Sequence, residues 1–382
     1  MKTQLDAKSG ARLFYLDNLR IYLTVLVILH HASIAYGGSG DWPVKDPSAD
    51  ALSRIFLTFF TAVNQSFFMS AFFLLAGFFT PEALARKGAV YFVKDRLIRL
   101  GIPIIIYSSL IINLNQVILG VWMRERPFRW LFKYHAGHLW FLQALLFFAV
   151  IYVLYRIVIN RNMIKQPLQF CSDRFPSDRV LILSIVFLTV LTFVVRIKFP
   201  VGKWTFPGFQ LAHFVHYAFS FFVGILAYHG DWFNRLRRDQ ARRRGIVILI
   251  MLPLFFAPMV LGRILGRDAT GTTSFFVGGL HWQSFVYAAW ESVMLISVLI
   301  FLLYFFRERF NRSSPLLRSM AASVYTVYII HQTVLIAFNV LFLPVGIPTI
   351  LKFPIVSLIV VPLCFGLALL IRRIPYAKRV LG

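Results

Sequence analysis

The sequence predicts an all-α polytopic membrane protein of about ten transmembrane helices, with both termini on the cytoplasmic side. Three observations carry that expectation. Hydrophobic residues make up 59% of the chain and charged residues only 14%, far from the usage of a soluble globular domain. The apolar residues fall in runs of about 20, the length a helix needs to cross the hydrocarbon core. Lys and Arg gather in alternate loops between those runs, as they do on the cytoplasmic side of membrane proteins.

In order, the expected spans are 16–37, 55–80, 100–122, 137–159, 180–199, 208–229, 245–265, 280–306, 320–343 and 350–371. The first, LDNLRIYLTVLVILHHASIAY, carries Arg20 near one end and His30 and His31 deep inside. The second contains Asn64, Gln65 and Ser66, and the basic segment VKDRLIRLGIP at residues 93–103 forms the entry to the third. The fourth opens on GHLWFLQALL, residues 137–146, where Trp140 suits a membrane interface. A short turn, Pro200 to Pro207, separates the fifth from the sixth, and Pro253 and Pro258 interrupt the seventh. The eighth holds Glu291 in AAWES, the ninth His331 in VYIIHQT, and the tenth ends before Arg372, Arg373, Lys378 and Arg379.

Forty Lys and Arg against fifteen Asp and Glu give a formal charge of +25, which in a soluble chain would suggest nucleic acid. Here the basic residues lie between apolar runs, with no separate domain to dock a nucleic acid, so they read as topology signals facing anionic lipid. One set of loops holds Arg86, Lys87, Lys94, Arg96 and Arg99, then Arg161, Lys165, Arg174 and Arg179. The same set continues with Arg235, Arg237, Arg238, Arg242, Arg243 and Arg244, then Arg307, Arg309, Arg312 and Arg318. The alternate loops are poorer, apart from Arg124, Arg126, Arg129 and Lys133. Two cysteines, Cys171 and Cys364, make neither a disulfide framework nor a Cys-based zinc site, and the spacing of His135 and His138 does not make a metal site either. Met1 to Arg12 is polar, so the first run is expected to stay as an uncleaved anchor. With no loop longer than about 20 residues, residues 1–382 are expected to form one transmembrane domain without a soluble one.

An ionisable group inside the bilayer is by default a functional-site hypothesis. Arg20 and His31 are eleven positions apart on one helix, which places them within about 20° of the same face and about 16 Å apart along the axis. His30 falls about 80° away and faces a neighbouring helix or lipid. Asp17 sits three residues before Arg20, within reach of an ion pair. Glu291 and His331 fall near mid-membrane, and an ionised carboxylate at that depth must pair or stay protonated. Asn113, Asn115, Gln116 and Gln143 add neutral polar groups, while Arg196, His213 and His216 lie towards the outer surface. For Gln143, Asn113 and His331 an interhelical hydrogen bond is the competing structural reading. Arg96 and Arg99, three apart on one face, form either a positive-inside anchor or a fork for phosphate oxygens.

Five segments together resemble acyltransferase family 3 of bacterial integral-membrane enzymes. They are LDNLR with ten residues between Arg20 and His31, FFMSAFFLLAGFF at 67–79, RLIRLGIP, HLWFLQALL, and SVYTVYIIHQ at 323–332. The resemblance runs nearly the full length; Asn18 replaces the family's glycine and leaves Arg20 and His31 in register. It implies a membrane O-acyltransferase, standalone like the periplasmic glucan succinyltransferases, in the inner membrane. Such an enzyme moves an acyl group, for example acetyl, from acyl-CoA as donor co-substrate to a hydroxyl of a carbohydrate or glycolipid acceptor at the outer face. No permanently bound cofactor or metal is expected.

By position His31 matches the family's essential histidine and serves as general base, Arg20 matches its essential arginine, and Arg96 and Arg99 match its paired arginines. Arg20, Arg96 and Arg99 are the expected acyl-CoA contacts, and His138, Trp140, Gln143 and His331 the expected acceptor contacts. Glu291 is nominated as a third catalytic group from its chemistry alone. A transporter or flippase with a polar midplane site, and a non-catalytic scaffold, are the competing classes. Consumption of acyl-CoA thioester separates an enzyme from both.

Overall fold

The computed structural model describes residues 13–123, 137–159, 174–257 and 276–381. Among them the chain is helical with no strand; Thr205 and Phe209 form one isolated antiparallel bridge. Nine helices among the described residues are long and apolar enough to cross a membrane. The long helices are α1 (Phe14–Ala35), α2 (Ala51–Lys87), α3 (Ala89–Gly120), α4 (Trp140–Ile159), α5 (Asp178–Lys198) and α6 (Phe214–Gly230). After the short α7 (Trp232–Arg235) come α8 (Arg238–Leu254), α9 (Trp282–Arg309), α10 (Pro315–Phe342) and α11 (Thr349–Ile371), and α12 (Ala377–Leu381) closes the series. The expected seventh span begins inside α8, but Pro258 and residues 258–265 lie outside the described residues. So do Arg124, Arg126, Arg129, Lys133, His135, Arg161, Lys165 and Cys171.

Helix starts follow the local chemistry. Asp50 caps α2, its carboxylate accepting from Ser53 N at 2.7 Å and Ser53 Oγ at 3.0 Å. Ser314 caps α10 through Leu317 N at 3.1 Å, with Pro315 at the first helical position where its missing N–H is harmless.

The RLIRLGIP segment lies within the first half of α3, and α3 contains π-helical turns at Leu97–Gly101 and Tyr107–Ile111. Pro103 has no N–H to give the carbonyl four residues back, that of Arg99. The Tyr325 hydroxyl of α10 donates to that carbonyl instead. The irregularity therefore ties α3 to α10.

Helix α1 packs against α2, α9, α10 and α11. Helices α2 and α6 touch backbone to backbone: a Cβ on Gly77 would sit 1.9 Å from Phe221 O, and one on Gly224 2.1 Å from Leu74 O. Small residues at a crossing let membrane helices gain close van der Waals contact, where no hydrophobic effect drives them together.

The basic loops meet at one end of the bundle. Arg307 at the end of α9 donates to the carbonyls of Phe233 (2.6 Å), Asn234 (2.9 Å) and Leu236 (2.6 Å). Asn18 near the start of α1 donates to Phe310 O at 2.6 Å and Arg312 O at 2.8 Å. Arg244 pairs with Asp178 at 2.6 Å, which brings the start of α5 to the same end. Helix α12 packs on the Leu97–Gly101 turn, adding the C-terminal residues and Arg99.

Candidate functional site

The first polar centre is built around His31. Its ring stacks on Trp42 (centroids 4.7 Å, 25° between planes) and on His331 (5.2 Å, 26°). His31 Nδ1 lies 3.1 Å from His331 Nε2, and His331 Nδ1 lies 2.7 Å from the Tyr328 carbonyl of its own helix. His138 meets the same carbonyl through Nε2 at 3.0 Å and Gln332 Oε1 through Nδ1 at 2.5 Å. The Tyr107 hydroxyl also donates to Gln332 Oε1, and the Tyr328 hydroxyl donates to the His138 carbonyl. Helices α1, α3, α4 and α10 thus converge on one network. His138 depends on Gly137, whose φ of +50° favours glycine and where a Cβ would lie 2.4 Å from the Tyr107 hydroxyl oxygen.

Trp42 reaches His31 from the loop between α1 and α2, and that loop is pinned. Asp46 N donates to Ala35 O at 2.8 Å, and the Asp46 carboxylate accepts from Lys352 Nζ of α11 at 2.6 Å. Lys352 Nζ also donates to Leu343 O at 3.2 Å. Burial pushes the Asp46 carboxyl up, but hydrogen bonds from Lys352 and Ser48 outweigh it and hold the group below the usual carboxylate range. His30 stacks on Phe68 of α2 at 4.8 Å, facing a neighbouring helix as its angular position requires.

The second centre surrounds Glu291. Its carboxylate meets Arg196 Nη1 of α5 at 2.5 Å, with both side chains essentially unexposed. Arg196 also donates to Ala212 O at 3.2 Å, lies 3.3 Å from His213 Nδ1 through Nη2, and stacks over Tyr287 at 5.3 Å. His216 Nε2 lies 3.1 Å from Ser292 Oγ, which itself donates to Ala288 O. The buried carboxylate is paired, as its depth demands, but its partner is Arg196. His213 Nδ1 also lies 3.9 Å from Glu291 Oε1, and His213 is within electrostatic range of His30, the residue beside His31.

The third feature is basic. Arg20 pairs with Asp17 at 3.5 Å and lies over the Phe79 ring at 4.5 Å. Arg96 lies over Phe92 at 5.1 Å, within electrostatic range of both Arg20 and Arg99. Asp95 holds Arg99 at 3.2 Å and Lys87 at 2.7 Å. The three arginines nominated for one ligand are brought together, and each keeps part of its surface exposed.

The other nominated residues split. His138 and His331 share the His31 network. Trp140 stacks on Tyr217 of α6 at 5.3 Å, and Gln65 donates to the Tyr217 hydroxyl at 2.9 Å. Gln143 Oε1 is buried without a hydrogen-bond partner among the described residues. Asn113 donates to Ser109 O at 2.8 Å, a bond within its own helix. The site also includes Trp42, Tyr107 and Gln332, which carry little signal in the sequence: Gln332 is marked only by following His331, and a single indole in a loop has no periodicity.

A sequence model described as "Acyltransferase domain" matches residues 13–369. Similar curated proteins include "Glucans biosynthesis protein C" of Salmonella typhi, 25% identical over 244 residues, covering 59% of this chain and 61% of that protein. The protein of the same name from Escherichia coli (strain K12) is 32% identical over 145 residues, 35% of this chain and 36% of its own length. The chain therefore aligns with about three-fifths or less of these relatives. No solved structure matches significantly. The family match spans nearly the whole helical bundle, including all five segments that carry the resemblance, and the chain belongs to the acyltransferase 3 family.

Proposed function

We propose that the protein is a membrane O-acyltransferase that takes an acyl group from acyl-CoA on the cytoplasmic side and places it on a carbohydrate hydroxyl at the outer face of a bacterial inner membrane. The observation that carries this reading is the layout of α1. At one end Arg96 lies within electrostatic range of both Arg20 and Arg99, and about 16 Å from Arg20 along the same helix His31 sits in a polar network. That separation suits an extended pantetheine arm, with the arginines on the phosphates, where guanidinium forks bind bidentately. The name shared by the relatives points to glucans as the acceptor class.

A hydroxyl is a weak nucleophile until a base takes its proton, and an imidazole suits that task near neutral pH. In this reading His31 removes the acceptor proton as the oxygen attacks the thioester carbonyl. The tetrahedral intermediate collapses with cleavage of the C–S bond, and the proton passes from His31 to the departing thiolate, leaving an ester and free CoA. His138, Trp140 and Gln143, on and just before the first turns of α4, supply polar and aromatic groups for the acceptor. Residues 1–382 act as one transmembrane catalytic domain, and no permanently bound cofactor takes part.

The test is transfer of labelled acyl groups from acyl-CoA to a glucan pool by purified protein. His31→Ala is expected to lose on the order of 10²- to 10⁴-fold in kcat while inserting normally. An Arg96→Ala, Arg99→Ala double variant is expected to weaken acyl-CoA binding with the fold intact. Full transfer by His31→Ala, or no thioester consumption by the wild type with any acceptor, overturns the reading.

A further inference from the structure

We propose that His331 is the positioning residue of His31, accepting a hydrogen bond from His31 Nδ1–H and so fixing the tautomer that leaves His31 Nε2 as the proton acceptor. The inference rests on the reading of His31 as the base and assigns the atom that acts. It begins at a carbonyl. The Tyr328 oxygen has no hydrogen to give, so His331 Nδ1, 2.7 Å away, is the donor in that bond and carries the proton. In a neutral imidazole the other nitrogen, Nε2, is then an acceptor. His31 Nδ1, 3.1 Å from it, must supply the hydrogen, and the lone pair of His31 is left on Nε2.

The opposite arrangement requires His331 to be an imidazolium donating from both nitrogens. His331 is fully buried, and the rings nearest it and His31 are His30 of α1, His138 at the start of α4, Tyr328 of α10 and Trp42 of the α1–α2 loop. None of these is a carboxylate, and Glu291 is engaged by Arg196. A buried cation without a counter-charge is expensive, which favours the neutral form. Stacking on Trp42 also limits rotation of the His31 ring, so the assigned nitrogen keeps its direction. The logic is that of a base whose second nitrogen is held by an orienting partner.

Two substitutions separate positioning from packing. His331→Gln keeps an acceptor oxygen near the site of Nε2; His331→Phe keeps the ring and loses the acceptor. Loss of the partner is expected to lower kcat on the order of 10²-fold in His331→Phe with KM for acyl-CoA unchanged, and His331→Gln is expected to recover most of it. A ring needed only for packing gives the reverse order, and equal activity of both variants likewise overturns the proposal. A second readout does not depend on catalysis: ¹⁵N-histidine NMR of the intact wild-type protein, with the His31 signal identified by its loss in His31→Gln. An Nδ1–H tautomer of His31 is expected, and Nε2–H refutes the assignment even if acyl transfer is confirmed. If no acyl transfer is found but the Nδ1–H tautomer is, the function fails and the hydrogen-bond assignment stands.

Discussion

The side chains of Asp46 and Lys352 are each 1% exposed and meet at 2.6 Å, an ion pair that joins the loop carrying Trp42 to the last long helix. The Asp46 carboxylate also accepts from Ser48 N at 3.0 Å and Ser48 Oγ at 2.5 Å, so its lone pairs are well used. Removing one partner of a buried pair leaves the other charge uncompensated, at about 3–5 kcal/mol. Asp46→Asn is expected to lower the melting temperature in detergent, and adding Lys352→Met to recover most of the loss, since an apolar pair of similar volume is often neutral. The pH dependence has a definite sign. Because the Asp46 carboxyl is held below its ordinary value of 3.8, the pair stabilises the fold fully above about pH 4 and loses that contribution as pH falls through the lower, folded-state value. Melting curves of wild type and Asp46→Asn should therefore converge in acid; a constant gap refutes the pairing as the source.

Among the helices, the α2–α6 crossing is the tightest contact described. Any side chain at Gly77 or Gly224 must push two backbones apart, because the blocking atoms are main-chain carbonyls that cannot rotate away. Gly77→Ala and Gly224→Ala are each expected to cost about 1–3 kcal/mol by overpacking, read as earlier thermal unfolding. At Gly366 of α11 an added Cβ meets nothing within 4 Å, so Gly366→Ala is the control and should be neutral or mildly stabilising. The same element scale explains α3: the proline that weakens the helix frees the Arg99 carbonyl for Tyr325, and the irregular turn falls on the residues nominated for phosphate.

For the whole molecule, the hydrogen bonds of Arg307 and Asn18 and the Arg244–Asp178 pair collect the basic loops at one end of the bundle. We propose that this end is cytoplasmic, since short loops rich in Lys and Arg are retained inside. Reporter fusions after residue 382 and within 235–244 should both report the cytoplasm, and a fusion within 200–207 the opposite side. A periplasmic signal from either of the first two overturns the orientation and, with it, the donor side assigned to Arg20, Arg96 and Arg99.

The sequence by itself determined the membrane class, nearly every span, and the shared stripe of Arg20 and His31, because hydrophobic run length and helical periodicity are local properties. It also required that Glu291 either pair or stay protonated, since desolvation makes a lone buried carboxylate untenable wherever it sits. It could not say that the partner is Arg196, nor join His31 to a residue 300 positions away. Trp42 over His31 and Tyr325 on the Arg99 carbonyl were equally out of reach. Those pairings were decided only by the tertiary structure. Helix packing selects which polar groups meet, and periodicity states a direction around one axis without stating what stands opposite.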